Sequence, residues 1–152
     1  NLSAVSNITL EHEQRGRLLF IGAKDARNKN FANAVRFGGG FVSVDPRVLG
    51  DEYNASASLE IFNITCPAAP VSFVESYDEK NQSLLNISAG MPCNTTTAPS
   101  CTAITCENST LSFTVSHFTT YAAQSQQASD APASPPSNSG SSGGSSLNTS
   151  VF

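Results

Sequence analysis

Residues 110–123 read TLSFTVSHFTTYAA, two short runs of β-branched and aromatic residues split at Ser116–His117. Both match short strands separated by a turn. Working outward, the same texture recurs. NLSAVSNITL (1–10) alternates, with Leu2, Ile8 and Leu10 on one side, and RLLFIGA (17–23) is a more buried run. NAVRFGGGFVSVD (33–45) reads as two strands flanking Gly38–Gly39–Gly40, where a tight turn or bulge needs residues without Cβ. ASLEIFNIT (57–65), VSFVES (71–76), SLLNIS (83–88) and TAIT (102–105) complete the set, broken by Cys-Pro-Ala-Ala-Pro and by the acidic turn YDEKNQ. Strands spaced about 8–14 residues apart, with no amphipathic helix, predict an all-β fold. Its expected form is an immunoglobulin-like antiparallel β-sandwich with a Ser/Pro/Gly-rich C-terminal extension. The segment GAKDARNKNFANAV (22–35) reads as one helical turn or a long loop.

Only 13% of the 152 residues are charged, and the net charge is −4. The eight Lys and Arg are scattered among acidic residues, so nothing would neutralise a run of phosphates, and nucleic acid is not an expected partner. No stretch reaches the roughly 20 apolar residues that span a bilayer, and no membrane insertion is expected in this segment. The chain begins at Asn1, which predicts processing from, or a place within, a longer precursor.

Ser, Thr and Asn supply the surface polarity that charge does not. Nine of the 13 asparagines open Asn-X-Ser/Thr sequons, against roughly three expected from the 35 Ser and Thr. They are Asn1, Asn7, Asn54, Asn63, Asn81, Asn86, Asn94, Asn108 and Asn148. Such density predicts an exported protein carrying covalent glycans. The competing reading is that strands and turns simply use Thr and Asn often.

Four cysteines in such a chain point to two disulfides. Cys93 and Cys101 bracket the turn-rich CNTTTAPSC, and nesting suggests Cys66 with Cys106 around it. Pairing Cys101 with Cys106 would close a very short loop inside a strand, which the required Cα separation makes awkward. The spacings contain no C-x-x-C, and neither His12 nor His117 completes a zinc set, so no metal and no cofactor is expected.

The segment 57–123 resembles a repeated β-sandwich domain of archaeal cell-surface proteins. The resemblance rests on NASASLEIFNI, the Cys-flanked turn and STLSFTVSHFTTYAA, whose [GH]-F-[ST]-x-Y ending is its most distinctive part. RGRLLFIG and FVSVDP are similar in layout. The resemblance implies an extracellular β-sandwich repeat with a Cys pair at the position of Cys93 and Cys101, and it supplies no catalytic residue.

Residue by residue, the chemistry is sparse. His117 has no nucleophile motif with it and reads as a strand-end structural residue, and His12 reads as an exposed loop residue. Glu60, Asp45, Asp51, Glu52, Glu75, Asp78 and Glu79 fall on turns and strand exteriors, without the D-x-D-x-D-G spacing of a calcium loop. The tri-glycine lacks the lysine and following helix of a phosphate loop.

The predicted organisation is an N-terminal strand (1–16), open to donation, a sandwich body (17–124) and a low-complexity tail (125–152). Residues 125–146 contain no aliphatic side chain larger than Ala and cannot offset the entropy of ordering themselves. They can span about 70 Å, enough to carry LNTSVF to a sheet edge on another copy, with Leu147 and Val151 on one side. The expected function is a structural subunit of a glycosylated extracellular filament joined by strand exchange, with other copies of itself as partners. A surface or adhesion module with glycan or cell-surface contacts is the alternative, and a secreted glycan-acting enzyme is the remaining one.

Overall fold

In the computed structural model, residues 2–66, 71–75 and 90–123 are described. The predicted strand SLLNIS, the tail, and Asn1, Asn81, Asn86, Asn148, Leu147 and Val151 lie outside the described residues.

The centre of the first sheet is the pair β5 (Ala57–Phe62) and β9 (Thr110–Val115). Both alternate buried and half-buried residues, the pattern of a strand with one face on a core. Their register sets Ala57 opposite Val115, Leu59 opposite Phe113 and Ile61 opposite Leu111, so the two apolar sets share one face. β2 (Gly16–Lys24) extends that face with Leu18 and Phe20, and β1 (Val5–His12) adds Leu10 and Ile8 opposite them. β8 (Cys101–Glu107) closes the other edge, giving the order β1-β2-β5-β9-β8.

The second sheet runs β3 (Val35–Gly38), β4 (Phe41–Val44), β10 (Thr120–Ala123), β6 (Val71–Val74) and β7 (Met91–Pro92). Phe37, Val42, Tyr121 and Phe73 form one row across it. Two packed antiparallel sheets make the protein an all-β sandwich. The two layers differ in burial. All four residues of β10 are buried, as are Val42–Val44 and Val71–Phe73. The small polar residues among them are internally paired: Thr120 donates to Ser43 Oγ at 2.7 Å, and Thr119 donates to the Val74 carbonyl.

Between the sheets' strands sits a helical corner. α1 (Phe31–Ala34) is the single turn allowed for in 22–35, started by Asn30, whose side chain accepts from Asn33 N. α2 (Pro46–Leu49) and a 3-10 turn (Asp51–Tyr53) were not expected from the strand pattern. Their signal is nonetheless local: Asp45 caps, Pro46 takes the first turn and Gly50 ends it at φ +106°. The corner delivers Tyr53, fully buried, to an edge-on contact with Phe20 at 5.0 Å, beside Phe31 and Phe118.

Two disulfides end on β8. Cys66–Cys106 spans 40 residues and Cys93–Cys101 spans eight, the latter tying the exit of β7 to the start of β8. The tri-glycine is the β3–β4 turn. Gly40 has φ +84°, and a side chain on Gly38 would collide with the Phe41 ring.

Candidate functional site

Three described sequon asparagines, Asn7, Asn63 and Asn108, have left-handed backbone, a conformation Asn tolerates better than most residues. Asn7 forms the bulge of β1, with φ 58°, between Ser6 and Ile8. Asn108 and Ser109, at φ 50° and 62°, are the two-residue turn joining β8 to β9. Part of the Asn usage is therefore set by backbone geometry, as the competing reading holds. All three are exposed.

The carboxamides differ in what they do. Asn94 lies in the Cys93–Cys101 loop and folds back on its own sequon, its Oδ1 accepting from Thr96 N at 2.8 Å and Thr96 Oγ1 at 2.7 Å. Asn63 donates through Nδ2 to the Gln14 carbonyl at 2.7 Å. Asn54 is half-buried, and its Oδ1 accepts from the Phe118 N–H at 2.8 Å, anchoring the helical corner to the β9–β10 connection. Asn54 is a structural joint as well as a sequon.

Of the candidate assembly residues, Leu2 is 59% exposed. Ile8 and Leu10 are half-buried against the chain's own core, and β1 pairs with β2 of the same chain from Val5 to His12. The sheet edges are unequal. β1 and β8 each carry a bulge with a left-handed residue, Asn7 and Ala103. β7 is two residues long and ends in Pro92. Bulges, shortness and proline all blunt an edge against uncontrolled pairing. β3 has neither bulge nor proline, but is only four residues long.

Five of the described carboxylates are engaged with cations, and Asp78 and Glu79 lie outside the described residues. Arg17 bridges Glu11 and Glu60, each at 2.7 Å, across three neighbouring strands. Lys29 meets Glu52 at 3.3 Å. Asp25 and Asp45 are each clamped by the arginine two residues on, Arg27 and Arg47. The hydrogen bond from Arg27 holds the Asp25 carboxyl far below the usual range, and that from Arg47 lowers Asp45. Burial pushes the Tyr53 phenol up. Among the described residues no three His, Cys, Asp or Glu side chains converge.

His117 is exposed after β9, with Nδ1 3.1 Å from Ser116 Oγ, and its carbonyl accepts from Tyr121 OH at 2.6 Å. That serine oxygen also accepts from Ser100 N at 3.0 Å. His12 corrects the expectation of an exposed loop residue. It is the last residue of β1, half-buried, with its ring 6.4 Å from Phe37.

One feature was invisible in the pattern of motifs. An open cleft of about 230 Å³ is walled by Gln14 and Arg15 of the β1–β2 turn, by Gly38–Gly40, and by Phe62 and Asn63. The only hint in the sequence is that an aromatic residue directly precedes a sequon, in FNIT (62–65).

The chain matches no protein-family model and no curated protein. The two disulfides indicate a non-reducing environment. Among the described residues no helix is long and apolar enough to cross a membrane.

Proposed function

We propose that the chain is the structural subunit of an N-glycosylated extracellular filament at the cell surface, whose successive sandwiches are joined by strand exchange. The observation that carries this reading is the position of β1. It is the edge strand of its sheet, it is terminal among the described elements, and within that sheet it pairs with β2 alone. An identical strand from a neighbour fits the same place, and the connection that must open is the short β1–β2 turn. LNTSVF is the second candidate donor, delivered by the tail. Head-to-tail exchange of either strand makes an open fibre. The disulfides, the sequon density and the resemblance to archaeal cell-surface repeats support the extracellular setting.

Thr9 and Leu19 are directly opposite on β1 and β2, so Thr9→Cys with Leu19→Cys reports which chain supplies β1. Exchange gives a covalent ladder on a non-reducing gel, lost on reduction. A single monomer band, together with polymers unchanged after deletion of 147–152, overturns strand exchange. A monodisperse monomer at high concentration favours the second reading, a surface or adhesion module, which the pairing of β1 within its own chain supports.

A further inference from the structure

We propose that the cleft beside Asn63 is a carbohydrate-docking site, holding the first sugar of a glycan attached to that asparagine. This rests on the glycoprotein reading and adds a place and a role for one glycan among several. The cleft is small, about 230 Å³, below the range of drug-sized ligand pockets and on the scale of a single sugar ring. It also has the right attachment point, since Asn63 is part of its wall. A carboxamide nitrogen has two hydrogens. One of those on Asn63 Nδ2 is given to the Gln14 carbonyl, and the other is the one a glycosidic bond replaces, so the link to Gln14 holds the side chain in place while the sugar is carried.

The walls suit a sugar as well. Phe62 is the one aromatic residue among them, and the part of its ring left uncovered by Arg17, 5.9 Å from the ring centre, is offered to the C–H face of a pyranose. The tri-glycine turn presents main-chain polar groups without side chains over them, and a Cβ built on Gly39 meets nothing within 4 Å, so that wall stands open. Among the described residues the other exposed sequons are placed differently: Asn7 is on a strand edge, Asn108 on a hairpin tip, and Asn94 folds back on Thr96 within its own loop. A sugar docked here contacts the β1–β2 turn, the β3–β4 turn and the end of β5 together. It therefore links the two sheets at the end of the sandwich where Gly16 and Phe62 lie, alongside the Cys66–Cys106 cross-link.

Thr65→Ala and Thr9→Ala each delete one sequon by the same small change at an exposed position, leaving Asn63 and Asn7 in place. In the glycosylated protein, Thr65→Ala should lower Tm by about 4 °C, and Thr9→Ala by about 1 °C or less. In protein made in a host without the glycosyl transferase, the two variants should differ from the parent equally. Gly39→Leu, which fills the cleft from its open wall, should reproduce the Thr65→Ala loss only when the glycan is present. Glycopeptide mass spectrometry separates the failures. Modified Asn7 and Asn108 with bare Asn63 overturns the site while the glycoprotein reading stands. Modified Asn63 with equal Tm effects from Thr65→Ala and Thr9→Ala overturns docking. Bare asparagines at every sequon overturn the glycoprotein reading itself, and docking with it.

Discussion

On the β7–β8 side the sandwich is held by two disulfides that converge on one strand, whereas at the helical corner, which spans residues 25–54, there is no cysteine. The corner relies on Tyr53 packed edge-on against Phe20, and on side chains that reach across to main-chain carbonyls. Tyr53 OH donates to the Asp25 carbonyl at 3.0 Å, Lys24 to that of Glu52 at 2.6 Å, and Lys29 to that of Leu49 at 2.5 Å. Both lysine Nζ atoms also lie within 6 Å of the Tyr53 ring centre, at 5.9 and 5.5 Å. β8 has almost no core to offer, since Thr102–Thr105 are all exposed, and its place depends on cross-links. The corner has a core and needs none. Covalent closure is placed where burial is poorest.

The largest effect should come from breaking the longer cross-link. Closing a 40-residue loop removes about 4 kcal/mol of unfolded-chain entropy, and an eight-residue loop about 2.5 kcal/mol. Cys66→Ala with Cys106→Ala should therefore destabilise by about 4 kcal/mol in denaturant titrations, and Cys93→Ala with Cys101→Ala by less. Amide exchange sharpens the contrast. In the oxidised protein β8 should be protected beyond its poor burial, and reduction should drop its protection to or below that of β1 while leaving β4 and β10 slow. Equal losses for the two cysteine pairs would break the account based on loop length.

Removing Asn54 tests the non-covalent closure. Asn54→Ala leaves the Phe118 N–H, next to a buried ring, without its acceptor, and should cost about 2 kcal/mol. Asn54→Asp keeps an acceptor and should recover most of that loss. If both substitutions cost the same, the joint is not this hydrogen bond.

The strands were legible because their residues alternate and their turns carry Gly, Asn and Pro. TLSFTVSHFTTYAA divides into β9 and β10, with the break after Val115. RLLFIGA, ASLEIFNIT and the runs flanking tri-glycine match β2, β5, β3 and β4 to within a few residues. β7 was not legible, because two residues make no period. α2 and the turn at Asp51–Tyr53 carry no legible period, because four residues cannot display helical periodicity, and their signal lies in the capping residues alone. Composition pointed to the sequons, but not to the half-burial of Asn54 or to the cleft at Asn63. Both depend on loops distant in sequence: Gln14 is 49 residues from Asn63, and Phe118 is 64 residues from Asn54.

A smaller effect belongs to the edge opposite β8. Leu10 is half-buried opposite Leu18, so Leu10→Ala should cost about 1 kcal/mol, less than the 2–5 kcal/mol of a fully buried leucine such as Leu18. The loss should appear first as faster amide exchange within β1. If Leu10→Ala costs as much as Leu18→Ala, β1 is as deeply integrated as β2, and exchange of that strand between copies loses its physical basis.

The smallest effect is electrostatic and returns to the corner. Asp45 starts α2: its Oδ1 accepts from Arg47 N at 2.9 Å, and its Oδ2 from Arg47 Nη2 at 2.7 Å. Arg47 is largely exposed, so the ion pair itself is worth little. The cap is the part that matters, at about 1 kcal/mol for Asp45→Ala, and Asp45→Asn should keep much of it. Because hydrogen bonding lowers the folded-state pKa below the ordinary 3.8, the charged form's contribution is present above that value. It is lost as pH falls through the lowered folded pKa. Acid titration of Asp45→Asn should therefore show a shallower fall in stability below pH 4 than the parent. The cysteine-pair variants should follow the parent's slope, since disulfides do not titrate. Parallel acid profiles for Asp45→Asn and the parent would mean that the charge on Asp45 does nothing for the corner, leaving its closure to Tyr53, Asn54 and the two lysines.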